Sequence, residues 1–109
     1  TGPQEPIEAI RDTFDRRRKT LVKALNETQA RARLPNGGTF LFFDIRPTGL
    51  TSDEFAVRLL EEARVLVYPG NYFGDVGEGW IRASLFAPTH RIEEAADRLR
   101  RAVPIISET

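Results

Sequence analysis

The stretch Thr39-Phe40-Leu41-Phe42-Phe43-Asp44-Ile45 follows a turn written as Pro35-Asn36-Gly37-Gly38. Side chains on a pleated strand alternate, so Phe40 and Phe42 share one face while Leu41, Phe43 and Ile45 share the other. Both faces are therefore apolar. A sheet covered by helices on one side has no use for a second apolar face unless something else covers it, because contiguous exposed aromatics favour association. The run predicts a strand of a layered domain that lacks a partner surface.

Working outward, Thr51 and Glu54 stand at capping-box spacing ahead of Phe55, Leu59, Leu60 and Ala63, which predicts a helix over 52–64. Val65-Leu-Val-Tyr68 reads as a second strand, stopped by Pro69-Gly70. A glycine-rich loop of eleven residues, 69–79, leads to a third strand over 80–86. On it Ile81, Ala83 and Leu85 take one face, and Trp80, Arg82, Ser84 and Phe86 the other. Pro88-Thr89 opens a last helix with the stripe Ile92, Ala95, Ala96, Leu99 and Val103. Upstream, Ile7, Ile10, Phe14, Leu21, Ala24 and Leu25 recur at helical spacing and predict one long amphipathic helix from about Pro6 to about Arg33. Asp12 before Arg16, and Asp15 before Lys19, would support its wet face by about 0.3 kcal/mol each. The order α-β-α-β-β-α predicts an α+β two-layer sandwich: a small, mainly antiparallel three-stranded sheet with helices on one face, a single domain over 1–109.

Composition narrows the function. The 109 residues suit one modest core, and 40% apolar with 29% charged residues is ordinary globular composition. Sixteen basic residues balance sixteen acidic ones, so neither nucleic acid nor an anionic membrane is implied as partner. Cysteine is absent, which leaves no thiolate metal site and makes a cytoplasmic setting the default. No apolar run approaches the roughly twenty residues of a bilayer span. Methionine is missing even at position 1, and Thr-Gly-Pro-Gln-Glu-Pro reads as a cut inside a longer chain as readily as a processed start.

Most motifs have a plain explanation. The 69–79 loop has the glycine density of a phosphate cradle, yet it feeds a strand rather than a helix and carries Asp75 and Glu78, so its glycines serve backbone conformation. Thr20-Leu-Val-Lys23 has the spacing of some covalent-catalysis motifs, but Lys19 and Lys23 lie on an arginine-rich wet helix, and a nucleophilic lysine needs a dry pocket. His90 reads as surface decoration, and Arg16-Arg-Arg18-Lys19 as a solvated face. Arg82 remains: its strand points it away from the core, towards water or towards an anionic ligand.

Leu34-Pro-Asn-Gly-Gly-Thr-Phe40, Phe55 with Leu59-Leu60, Val65-Leu-Val-Tyr-Pro-Gly70, Phe73-Gly74, Gly77-Glu-Gly-Trp-Ile-Arg-Ala-Ser84, and Ile92-Glu-Glu-Ala95 with Arg98-Leu99 occur in one order. Together this set, from about Pro6 to about Ala102, resembles the C-terminal small domain of fold-type I pyridoxal-phosphate aminotransferases of class I/II. The resemblance implies that Arg82 binds the α-carboxylate of an amino-acid or keto-acid substrate, as a substrate-binding rather than a catalytic residue. A guanidinium suits that role because its planar fork pairs bidentately with a carboxylate and stays charged. Asn71, Tyr72 and Phe73 would lie on the rim of the same cleft. The resemblance also implies a large domain of the same chain, not represented here, that holds pyridoxal phosphate through a lysine, an acidic partner and a phosphate cup. The parent would be a homodimer; the segment would bind neither cofactor nor metal, and would not transaminate alone. Two other readings stand beside this one. One is a non-enzymatic α+β ligand-binding module that dimerises through Phe40 and Phe42; the other is a lyase or decarboxylase of the same fold type.

Overall fold

A computed structural model of the chain describes residues 4–33 and 38–107, and of Gln4, Glu5, Phe73 and Asp75 the backbone alone. Residues 34–37, and with them most of the predicted turn, lie outside the described residues. The elements are α1 (Gln4–Asn26), β1 (Arg31–Ala32), β2 (Phe40–Asp44), α2 (Ser52–Ala63), β3 (Tyr68–Pro69), β4 (Trp80–Ser84) and α3 (Thr89–Ile106). The four strands form one sheet in the order β1-β2-β4-β3, with every pair antiparallel.

The α+β class and antiparallel pairing follow the sequence; the strand count does not. The sheet has four strands rather than three because the expected first helix stops at Asn26, short of Arg33. The Asn26 amide explains the break: its Oδ1 accepts from the Ala32 N–H at 2.8 Å and its Nδ2 donates to the Ala32 carbonyl at 2.9 Å. These local bonds compete with the helix and deliver 31–32 to the edge of β2. At the other edge, strand pairing begins only at Tyr68 and includes Pro69, later than the expected 65–68. Proline is tolerated there because an edge strand needs no N–H on its outer side. The third strand, β4, likewise ends at Ser84 rather than Phe86.

The α2 signals read well. Glu54 N–H donates to Thr51 Oγ1 at 3.2 Å and Thr51 N–H to Glu54 Oε1 at 3.0 Å, closing the capping box. The helix ends at Ala63, one residue before the expected Arg64, which takes the left-handed cap with φ 57°.

The core collects one face of the sheet. Leu41, Phe43, Ile45, Ile81 and Leu85 are fully buried with Phe55 and Leu59 of α2, Ala24 and Leu25 of α1, and Val103 of α3. The Phe43 and Phe55 rings meet edge to face, centroids 6.0 Å apart. On the other face Phe42 and Trp80 stay half or more than a third exposed, at 50% and 37%.

The basic run on α1 is only in part the solvated face expected of it: Arg16 and Lys19 are exposed, Arg17 and Arg18 are not. Arg18 is 1% exposed, and its guanidinium donates to the Gly38 carbonyl and to Asp15 Oδ1, the latter at 2.5 Å. Arg17 donates to the Leu85 carbonyl at 2.9 Å and to Thr89 Oγ1 at 3.1 Å. Position 18 sits four residues after Phe14 and three before Leu21, on the helix's inward stripe, so the fold spends a charge where an apolar residue was expected. Conversely Ile7 and Ile10, expected in that stripe, are 51% and 58% exposed.

Candidate carboxylate-binding face

Strand β4 is internal, paired with β2 along its length and with β3 at Ile81 and Arg82, so its side chains are held by register. That register sets Phe42 and Tyr68 directly opposite Arg82, with Phe40 one step further along β2 opposite Ser84. These side chains share the face that leaves the core. The Arg82 guanidinium carbon lies 4.3 Å from the Phe40 ring centroid and 5.2 Å from that of Tyr68. Arg82 is thus half-buried on the open face, with aromatic rings against its cation.

Behind Phe40 the rings continue. Phe86 meets Phe40 edge-on at 6.5 Å, Phe14 of α1 meets Phe86 edge-on at 5.7 Å, and the Arg17 guanidinium lies over Phe14 at 5.3 Å. Further along the sheet, Asp44 accepts from Arg46 Nε at 2.9 Å and Nη2 at 2.8 Å, and Arg46 lies over the Trp80 ring at 5.7 Å. The hydrogen bonds from the Arg46 side chain hold the Asp44 carboxyl below its usual range.

The loop leading into β4 is pinned rather than loose. It makes two tight turns, Gly70–Phe73 and Asp75–Gly77. Glu78 then accepts from the Ser52 N–H at 2.8 Å, the Ser52 hydroxyl at 3.0 Å and the Asn71 amide at 3.2 Å. The Gly79 N–H donates to Ser52 Oγ at 2.7 Å. Chiefly the Ser52 N–H, at the first turn of α2, lowers the Glu78 carboxyl below its usual range. Gly70 and Gly77 pack backbone to backbone: a Cβ on Gly77 would run into the Gly70 carbonyl, and one on Gly70 would lie 2.6 Å from the Trp80 carbonyl oxygen. Close approach, not phosphate, accounts for those glycines.

Of the residues singled out in the sequence, Arg82 stands on the open face, Tyr72 is 72% exposed, and Asn71 turns back to Glu78. The Phe73 side chain lies outside the described residues. His90 is exposed. Sequence reasoning passed over Phe40 and Tyr68 as partners of Arg82: Tyr68 is its direct partner only once the strands pair, and Phe40, opposite Ser84, reaches it diagonally. It also passed over the Ser52–Glu78 link, for which residues so far apart in sequence offer no pattern.

The family model for aminotransferases of class I and II matches residues 2–99. The chain belongs to that family. It is 42% identical over 97 residues to an aspartate aminotransferase of Pyrococcus abyssi, covering 89% of this chain and 25% of that protein. An aromatic aminotransferase structure from Pyrococcus horikoshii superposes with a TM-score of 0.84 at 43% identity, covering 89% of this chain and 26% of the other. Cystalysin from Treponema denticola, whose structure contains a pyridoxal 5'-phosphate cofactor, matches with a TM-score of 0.78 at 22% identity over 88% of this chain and 25% of its own, a likeness of fold alone. The chain therefore spans about a quarter of the length of the relatives it matches.

Members of this family depend on pyridoxal phosphate. The two lysines of the chain, Lys19 and Lys23, are both exposed on α1, where nothing dries or crowds an amine, so neither is set up as the lysine that would hold that cofactor. Among the described residues no helix is long and apolar enough to cross a membrane.

Proposed function

We propose that residues 1–109 are the C-terminal small domain of a fold-type I aminotransferase, and that Arg82 is its clamp for the substrate α-carboxylate. The observation that carries this reading is the placement of a guanidinium on the open face of an internal strand, held against Phe40 and Tyr68. A large domain of the parent chain, supplying the pyridoxal-phosphate site, would close over this face and bury Phe42 and Trp80, which are too large and too exposed to be left in water. The resemblance carries over a homodimeric parent, and the cysteine-free composition a cytoplasmic one.

In this role Arg82 moves no proton. It pairs with both carboxylate oxygens, fixes where the amino acid or keto acid lies, and so converts binding energy into alignment of the reacting carbon. The 69–79 loop supplies the rim. Tyr72 is exposed and available to the cleft, Phe73 is proposed beside it, and Asn71 contributes by holding the loop through Glu78. The segment by itself is not catalytic.

The test is Arg82→Ala in the full-length parent. It is expected to lower kcat/KM for carboxylate-bearing substrates by roughly 2 to 4 kcal/mol, while a matched amine without the carboxylate loses little. Efficiency close to that of the unaltered enzyme would remove the clamp.

A further inference from the structure

We infer that Phe40 and Tyr68 are positioning residues for the Arg82 guanidinium, an aromatic bracket that sets how it meets a carboxylate. The inference rests on the clamp reading of Arg82 and adds residues to it.

The geometry has three parts. Tyr68, on edge strand β3, is the direct antiparallel partner of Arg82, so its ring is placed by backbone pairing. Phe40, on β2, comes from the opposite side, and the guanidinium carbon lies 4.3 Å from one centroid and 5.2 Å from the other. Phe40 is itself buttressed by Phe86, and Phe86 by Phe14 of α1, each contact edge to face. A ring attracts a cation through its negatively charged face and leaves the guanidinium's in-plane N–H groups to hydrogen bonding. Rings on both sides therefore restrict the torsions of a long side chain before substrate arrives, which reduces the entropy lost when the fork closes on a carboxylate. A lone arginine on an open sheet face would lose far more of that freedom.

The assignment separates these rings from Phe42. Phe42 is equally opposite Arg82 in register, but the rings found against the cation are those of Phe40 and Tyr68, and Phe42 is 50% exposed. It serves as the internal control.

The experiment uses the full-length parent, with Tyr68→Leu, Phe40→Leu, Tyr68→Phe, Phe42→Leu and Arg82→Ala assayed on an amino-acid substrate and on the matching amine lacking the carboxylate. Each of Tyr68→Leu and Phe40→Leu is expected to raise KM for the amino acid by roughly three- to tenfold, with kcat within about twofold and the amine unaffected. Tyr68→Phe, which keeps the ring, should restore KM, and Phe42→Leu should raise it less than either ring variant. A second readout needs no turnover: the NMR signal of the Arg82 Nε–H should move on Tyr68→Leu, because a ring face shifts protons held above it. If Arg82→Ala raises KM and the ring variants do not, or if they change amine and amino acid alike, the bracket is wrong and the clamp survives. If Arg82→Ala itself leaves KM untouched, the clamp fails and the bracket falls with it.

Discussion

One strand, β2, carries two faces of nearly equal apolar content and opposite fate. Leu41 and Phe43 are 0% exposed beneath the helices, whereas Phe42, between them, is 50% exposed. The same contrast runs through β4, where Ile81 is 0% exposed and Trp80 37%. Hydrophobicity alone does not separate the two faces; what separates them is whether the chain itself provides the cover. The covered face is a finished core. The open face pairs its rings with arginines, Arg82 with Phe40 and Tyr68, Arg46 with Trp80, which lets large aromatics meet water beside a cation.

That contrast is easiest to break by the same truncation on each face. Phe43→Ala should cost about 3 to 5 kcal/mol in urea unfolding, because it empties a fully packed site against Phe55. Phe42→Ala should cost less than about 1 kcal/mol, because the ring is already half in water. Similar losses at both positions would mean that the open face is packed in solution.

A smaller effect sharpens the comparison on α1, where neighbouring arginines differ as the two faces do. Arg18→Ala removes a buried guanidinium and strands the Gly38 carbonyl, and should destabilise by roughly 2 to 3 kcal/mol. Arg16→Ala, at an exposed position, should stay within about 0.5 kcal/mol by the same measurement. Equal values would show that the Arg18 contacts add nothing to the fold.

The smallest expected effect concerns acid. Glu78 has its carboxyl lowered mainly by the Ser52 N–H, so its contribution is complete above the ordinary glutamate value and fades as pH falls through the lowered folded value. Asp44, lowered by Arg46, and Glu54, lowered by its bonds with Thr51, act in the same sense. Glu78→Gln should therefore flatten, without abolishing, the fall in melting temperature between about pH 7 and about pH 3. Parallel profiles for the two proteins would show that the carboxylate does not pin the loop to α2.

Periodicity and punctuation carried much of this architecture. The α2 capping box, the alternation on β2 and β4 and the α3 stripe are local patterns, and each became an element close to its expected bounds. Misreadings arose where a distant group outweighed the local pattern. Asn26 ended α1 by bonding Ala32 across a turn, and Arg18 was drawn in by the Gly38 carbonyl, twenty residues on, beside the local Asp15 carboxylate. Arg82 was legible as an outward-pointing charge, but its rings were not, since Tyr68 and Phe40 reach it only through pairing across strands.

By itself, then, the order of residues determined the class of fold, the face on which Arg82 emerges and the presence of more apolar surface than one layer of helices needs. Those properties depend on periods of two and 3.6 along a single element. Tertiary structure alone decided the fourth strand, the burial of Arg18, the Ser52–Glu78 pin and the rings around the guanidinium. Apart from the Arg18–Asp15 bond within one helical turn, each of these joins groups that neither share a turn nor alternate along a strand, so they meet only after the sheet has set its register and the helices have packed across it.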